Sequence, residues 1–177
     1  MSGKLRIGII GCGDFLRLRA ADLLSSRQVE VKLLYSPVNS ANAERYAEIF
    51  GAKAADSPEA IINDPEIDVV CVFVPPFVRK EYVLAAAKAG KQIVATKPLA
   101  ADLSDAREMT EAVEQAGVRC GVIYRRTNNP VIEAYKEIFS GGEFGKLALY
   151  KQDWLHHYPT WNRWATDPKK NGGYLPG

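Results

Sequence analysis

Leu5-Arg6-Ile7-Gly8-Ile9-Ile10-Gly11-Cys12-Gly13-Asp14-Phe15-Leu16 decides the fold of this 177-residue chain. The largely apolar run 5–10 has strand length, two glycines one residue apart close it, and a helical pattern occupies 14–26. Outward from there the alternation repeats. A strand is expected at 29–35, a helix at 41–50, a short strand near 52–54, a short helix after Ser57-Pro58, and a strand over 68–74. A helix at 78–89, a strand at 92–95, a helix at 103–116 and a strand at 118–124 continue it. Val69-Val70-Cys71-Val72-Phe73-Val74 is continuously apolar, the pattern of a strand covered by helices on both faces of a parallel sheet. The expected fold is α/β, a doubly wound parallel sheet. Punctuation agrees: Gly90 and Gly117 follow helices, and Asp102 or Ser104 caps the helix after Pro98.

Past Tyr124 the rhythm changes. Thr127-Asn128-Asn129-Pro130 opens a helix to about residue 139, Ser140-Gly141-Gly142 breaks it, and 146–155 reads as a new strand. Residues 1–124 are accordingly read as one domain, and 125–177 as the start of a second, α+β domain.

Composition narrows the partners. Lys and Arg number 23 against 21 Asp and Glu, a net charge of +2, and no basic stripe interleaved with aromatics stands out, which argues against nucleic acid. No apolar run approaches the roughly 20 residues of a membrane span, and residues 1–6 hold no signal-peptide core. A cytoplasmic protein with a small-molecule ligand is expected. Cys12, Cys71 and Cys120 lie in or beside strands without metal-ligand spacing, so they are read as reduced and mostly buried, with no metal site.

The glycine turn is the first candidate site. A strand ending in Gly-x-Gly before a helix lets the backbone approach a pyrophosphate, while the helix N-terminus offers unpaired N–H groups and partial positive charge. Gly11 and Gly13 hold those places, and Asp14, Phe15 and Leu16 supply the first helical amides. Leu16 stands where the third position of the fingerprint is usually Gly or Ala, and Asp14 sets a carboxylate beside the phosphate, which Arg17 and Arg19 can offset. A ligand-free βα turn is the alternative reading. The second strand ends at Ser36, not at the acid that binds an NAD ribose, and Pro37-Val38-Asn39-Ser40 adds none. A site with hydroxyl and amide donors and no repelling carboxylate tolerates a 2′-phosphate, so NADP is favoured over NAD.

Lys97-Pro98 closes the strand Ile93-Val94-Ala95-Thr96, at the end where open α/β sheets bind ligands. An ammonium there, on a backbone fixed by proline, suits it to bind a substrate hydroxyl. An exposed strand-end lysine without a role is the alternative.

Three stretches taken together resemble the N-terminal half of the Gfo/Idh/MocA oxidoreductases: Ile7-Gly8-Ile9-Ile10-Gly11-Cys12-Gly13, Val74-Pro75-Pro76, and 89–100, which contains Ala95-Thr96-Lys97-Pro98-Leu99. Residues 124–130 resemble that family's crossover into its substrate domain, and Gly142-Glu143-Phe144-Gly145-Lys146 the turn before its first sheet strand. The resemblance implies a Rossmann domain over 1–124, NAD or NADP, and sugar, polyol or related hydroxyl substrates. It implies a catalytic role for Lys97, and cofactor contacts from Gly11, Gly13, Pro75, Pro76, Lys97 and Pro98 beside those of Asp14, Phe15, Leu16 and Ser36. Thr96 departs from the family's Glu before the lysine, and Arg79 stands where many members have His. The family's downstream Asp-x-x-x-His motif would begin about where Gly172-Gly173 stands, so the substrate domain is read as truncated.

Two functions follow as expectations: an NAD(P)-dependent oxidoreductase acting on a hydroxyl, or a catalytically silent dinucleotide-binding module. The 146–155 strand with the helix over 129–139 would expose an edge and apolar surface, so self-association, partial disorder after His156, or both are expected. The cluster Trp154, His156, His157, Tyr158, Trp161 and Trp164 is read as local packing, since neighbouring residues on a strand face opposite ways.

Overall fold

A computed structural model describes residues 3–124, 129–146, 148–151, 153, 164 and 167–171. Six parallel strands, β1 (Leu5–Ile10), β2 (Val29–Tyr35), β3 (Lys53–Ala54), β4 (Val69–Val72), β5 (Gln92–Thr96) and β6 (Cys120–Ile123), form one sheet in the order β3-β2-β1-β4-β5-β6. The order reverses between β1 and β4, and the neighbouring crossovers leave a crevice at the carboxyl ends of those two strands. Helices α1 (Asp14–Ser25), α2 (Ser40–Phe50), α3 (Pro58–Ile62), α4 (Arg79–Lys88) and α5 (Leu103–Gln115) form the crossovers. A 3-10 turn, Pro76–Val78, precedes α4.

Strand alternation builds two cores from one run. Val69, Cys71 and Phe73 join Ile7, Ile9 and Val31 beneath Leu16 of α1 and Ala43, Tyr46 and Ala47 of α2. Val70, Val72 and Val74 join Ile10 and Ile93 beneath Ile61 of α3, Val83 and Ala86 of α4, and Met109 of α5. Both faces are apolar because both are covered, which is why the 68–74 run carries no polar alternation. A fully buried Ile or Val there contributes about 1.5–3 kcal/mol. Gly8 is required by this packing, since a Cβ on it would lie 2.2 Å from Cγ2 of Ile61.

Helix ends follow their local chemistry. The carboxylate of Asp102 accepts from the N–H of Asp105 at 2.9 Å, making Asp102 the cap of α5, and Ser57 and Asn39 cap α3 and α2 likewise. At the amino edge of the sheet the guanidinium of Arg6 donates to both carboxylate oxygens of Asp68, at 3.2 and 3.1 Å, tying β1 to the start of β4 and holding that carboxyl below its ordinary range. Lys80 of α4 bridges Asp105 and Glu108 of α5 at 2.7 and 2.9 Å.

Several boundaries differ from the sequence reading by a residue or two, three of them notably. β4 stops at Val72, because Phe73 to Pro75 leave the ladder for the loop; α4 starts at Arg79 after the 3-10 turn; and β6, at the sheet edge, covers only Cys120–Ile123. The expected strand over 146–155 is overturned among its described residues: 146, 148–151 and 153 are outside any strand. A strand needs a neighbour to receive its N–H and C=O groups, and the described sheet, β3-β2-β1-β4-β5-β6, does not extend to these residues. Helix α6 (Pro130–Ser140) forms as expected, capped by Asn129, with no buried residue. A four-residue helix, α7 (Pro168–Asn171), follows. The crossover residues 125–128 and, in the aromatic cluster, Trp154, His156, His157, Tyr158 and Trp161 lie outside the described residues. No helix among the described residues is long and apolar enough to cross a membrane.

Candidate functional site

The carboxyl ends of β1, β4 and β5 are in register, Ile10 opposite Val72 and Val72 opposite Ala95. Residues just past these strands therefore share one edge of the sheet: Gly11 to Gly13 after β1, Phe73 to Pro76 after β4, and Lys97-Pro98 after β5. The glycine turn and Lys97 are two strand spacings apart, roughly 10 Å.

Gly11 has φ +107°, and a Cβ on it would lie 2.7 Å from the backbone C and O of Phe73. Its N–H donates to the carbonyl of Tyr35 at 2.8 Å, while Phe73 N–H donates to Ile10 O at 2.7 Å. Gly11 is thus demanded by the approach of β1 to the chain leaving β4. Gly13 is not. It has ordinary extended backbone as the residue before α1, and a Cβ on it would meet nothing within 4 Å. The space above Gly13 opens onto the start of α1, where no side chain caps the helix and the first intrahelical bond is Arg17 N–H to Gly13 O. The amides of Asp14, Phe15 and Leu16 form an uncapped N-terminus facing that opening, the chemistry that receives a phosphate.

The two unfavourable residues of this turn are accommodated. Leu16 is fully buried in the core beside Ile7, Ile9 and Leu34, so its side chain packs α1 onto the sheet and only its backbone faces the crevice. Asp14 is exposed and paired with Arg17, Nε to Oδ1 at 3.3 Å, while Arg19 is engaged with Asp22 at 2.8 Å and does not serve Asp14. Phe15 stacks edge-on against Phe73 at 4.8 Å between ring centroids, fixing the first turn of α1 to the loop after β4. Cys12 is buried, its thiol donating to Tyr35 O at 3.6 Å, and burial pushes that thiol up to about 12. A thiol so protonated is no nucleophile at neutral pH.

Ser36 is half-buried at the end of β2, with Pro37, Val38, Asn39 and Ser40 exposed after it. The Asn39 side-chain oxygen accepts from Ala41 N–H as the α2 cap, so its NH2 group remains a donor there beside the hydroxyls of Ser36 and Ser40. Pro75 is half-buried and Pro76 buried in the loop after β4. The Lys97-Pro98 peptide is cis, Lys97 is exposed and Pro98 half-buried.

Arg79 is the residue whose role the sequence did not disclose. It is 1% exposed, and its guanidinium sits between the ends of β4 and β5. Nη2 donates to Val74 O and Thr96 Oγ1, both at 2.5 Å, and Nη1 to Thr96 O at 2.6 Å, Leu99 O at 3.0 Å and Pro98 O. Burial lowers it to about 10, so it remains charged at neutral pH. The signal was present as two departures, Arg79 and Thr96, 17 positions apart.

A cavity of about 350 Å³ lies elsewhere, lined by Val83, Leu99, Met109, Val113, Cys120 and Val122 behind β5 and β6. Thr110 and Glu114 complete a largely apolar lining that presents no helix N-terminus, so the cavity does not suit a dinucleotide. Among the described residues no group of His, Cys, Asp and Glu is placed to hold a metal ion.

Residues 5–124 match the model of an oxidoreductase family with an NAD-binding Rossmann fold, Gfo/Idh/MocA. An uncharacterized oxidoreductase of Streptococcus pneumoniae is 32% identical over 177 residues, covering 97% of this chain and 46% of that protein. The scyllo-inositol 2-dehydrogenase (NAD(+)) of Bacillus subtilis is 29% identical, covering 85% and 44%. Among solved structures, the 3-ketoreductase KijD10 of Actinomadura kijaniata in complex with NADP superposes with a TM-score of 0.73 at 26% identity, over 81% of this chain and 46% of that one. The chain spans about half the length of the curated relatives it matches. A family model covering the entire sheet, on a chain whose strand order and glycine turn are those of a dinucleotide-binding domain, places this protein in the Gfo/Idh/MocA oxidoreductase family.

Proposed function

We propose that this chain is the nucleotide-binding part of a nicotinamide-dependent oxidoreductase that acts on a hydroxyl of a sugar, polyol or related small molecule. The observation that carries it is Gly13: the fold does not need a glycine there, yet the space a side chain would enter lies over the uncapped start of α1. Residues 1–124 make the cofactor domain in this reading, and 125–177 begin the substrate domain. The amides of Gly13, Asp14, Phe15 and Leu16 receive the diphosphate, Ser36 the ribose, and Pro75 and Pro76 shape the wall toward the nicotinamide. When bound, the nicotinamide gives or takes the hydride. Lys97 holds the substrate oxygen through Nζ; as the neutral amine it takes the hydroxyl proton in oxidation, becoming the ammonium, and as the ammonium it returns that proton in reduction. The relatives support the substrate class, being a scyllo-inositol dehydrogenase and a 3-ketoreductase among others.

Titration with NADPH and NADH, followed by nucleotide fluorescence and thermal unfolding, tests this. NADPH is expected to bind more tightly than NADH, because no acid follows β2 to repel the 2′-phosphate. Gly13→Ala is expected to weaken binding about 10-fold or more while costing no more than about 1 kcal/mol of stability. A folded wild type that answers neither nucleotide would leave only shared ancestry. Binding without turnover on a polyol panel would select the silent module.

Self-association belongs to the same reading, through the helix and not the strand edge. Val131, Tyr135, Ile138 and Phe139 of α6 are 58, 52, 45 and 47% exposed, a stripe at helical spacing. Light scattering is expected to give more than the 19.5 kDa of one chain. A monomer mass at micromolar concentration contradicts it.

A further inference from the structure

Arg79 and Thr96, two positions that depart from the family pattern the sequence resembles, meet in one buried cluster around the residue proposed to act on substrate. Thr96 is held twice by the guanidinium, through its carbonyl and its hydroxyl, and Pro98 and Leu99 are held through their carbonyls. Lys97 lies between them, exposed, with its two sequence neighbours bound to the same rigid group. Val74 O, a fourth carbonyl, anchors the guanidinium to the loop after β4. No carboxylate accepts from Arg79 among the described residues, and its Nε–H is the one buried side-chain polar atom there without a partner. A charge buried on carbonyls and a hydroxyl, not on a carboxylate, is spent on holding backbone.

We propose that Arg79, with Thr96, is the positioning residue for Lys97: it fixes the backbone on both sides of that lysine and its distance from the loop after β4, leaving the ammonium free to meet a ligand. This rests on the reading of Lys97 given above. Substituting Arg79 removes the cation that five acceptor atoms share, so the loop 97–99 loses its common anchor while the β4–β5 ladder keeps its own hydrogen bonds.

Backbone 15N relaxation on the 177-residue chain reads this without turnover. In the wild type the amides of Lys97 and Leu99 are expected to have order parameters near those of rigid backbone, about 0.85, and in Arg79→Met to fall toward about 0.6, with Val94 and Ala95 unchanged. Arg79→Lys, which keeps the charge but not the fork, is expected to restore part of the loss. Turnover, where present, is expected to show kcat reduced about 10-fold or more with the nucleotide KM within about 3-fold. Unchanged order parameters at 97 and 99, or a fall spread evenly through the sheet, would overturn the proposal. If Arg79→Met does not fold, Thr96→Val removes the hydroxyl alone, and an unaltered order parameter at Lys97 overturns the proposal equally. Because relaxation does not depend on what Lys97 touches, a silent Lys97→Ala would sink the functional reading and leave the positioning result standing.

Discussion

Gly11→Ala is expected to destabilise the fold by about 3 kcal/mol or more and to abolish nucleotide binding. Two costs add. A φ of +107° is a conformation that non-glycine residues hold only at a cost of about 1–3 kcal/mol. The new Cβ would also lie 2.7 Å from the backbone C and O of Phe73, atoms with no rotamer to yield. Relief requires β1 and the chain leaving β4 to part, which strains the bonds from Gly11 N–H to Tyr35 O and from Phe73 N–H to Ile10 O. Both sides of the crevice then move. Denaturant unfolding of the variant checks the first part, and nucleotide titration of its folded fraction the second. A midpoint like that of wild type would show that the strand ends can separate freely. The contrast with Gly13→Ala is the informative one: two glycines, two residues apart, one held by the protein's own backbone and the other facing open space.

Lys97→Ala is expected to lower turnover about 1,000-fold in a protein that still folds and still binds nucleotide, with stability within about 0.5 kcal/mol of wild type. The small stability effect follows from exposure of the side chain; the large kinetic one follows from removing the group proposed to hold and deprotonate the substrate hydroxyl. Nucleotide affinity is expected to change by less than about 3-fold, because the diphosphate amides are two strands away. Equal loss of binding and turnover would make Lys97 a cofactor ligand, and no loss of turnover would remove it from the chemistry. With the Arg79 variants, the pair separates a group that touches substrate from one that only holds the touching group in place.

Much of this was legible along the chain. The continuous run Val69 to Val74 announced a strand buried on both faces, and the two cores divide it by alternate residues. Gly11 and Gly13 announced a βα turn. Leu16 stood out as a departure from the Gly or Ala of the fingerprint, and only the packed structure shows its side chain wholly inside the core. The 146–155 segment misled among its described residues: its apolar and aromatic content reads as a strand, but pairing needs a neighbour that no local pattern supplies. For Asp14 the sequence offered both Arg17 and Arg19 as partners, and only geometry selects Arg17.

Local periodicity and turn chemistry are short-range properties, so the order of elements, the glycine turn and the exposed lysine after β5 could be read from residues within a few positions of one another. The roles of Gly13 and Arg79 could not. Whether a glycine is required by a neighbouring backbone or left facing a crevice depends on strands brought together from 60 positions away, as Gly11 and Phe73 are. Whether an arginine at the start of a helix is solvated or buried depends on carbonyls from a separate strand end. Those are facts of three-dimensional proximity, and only the packed sheet creates them.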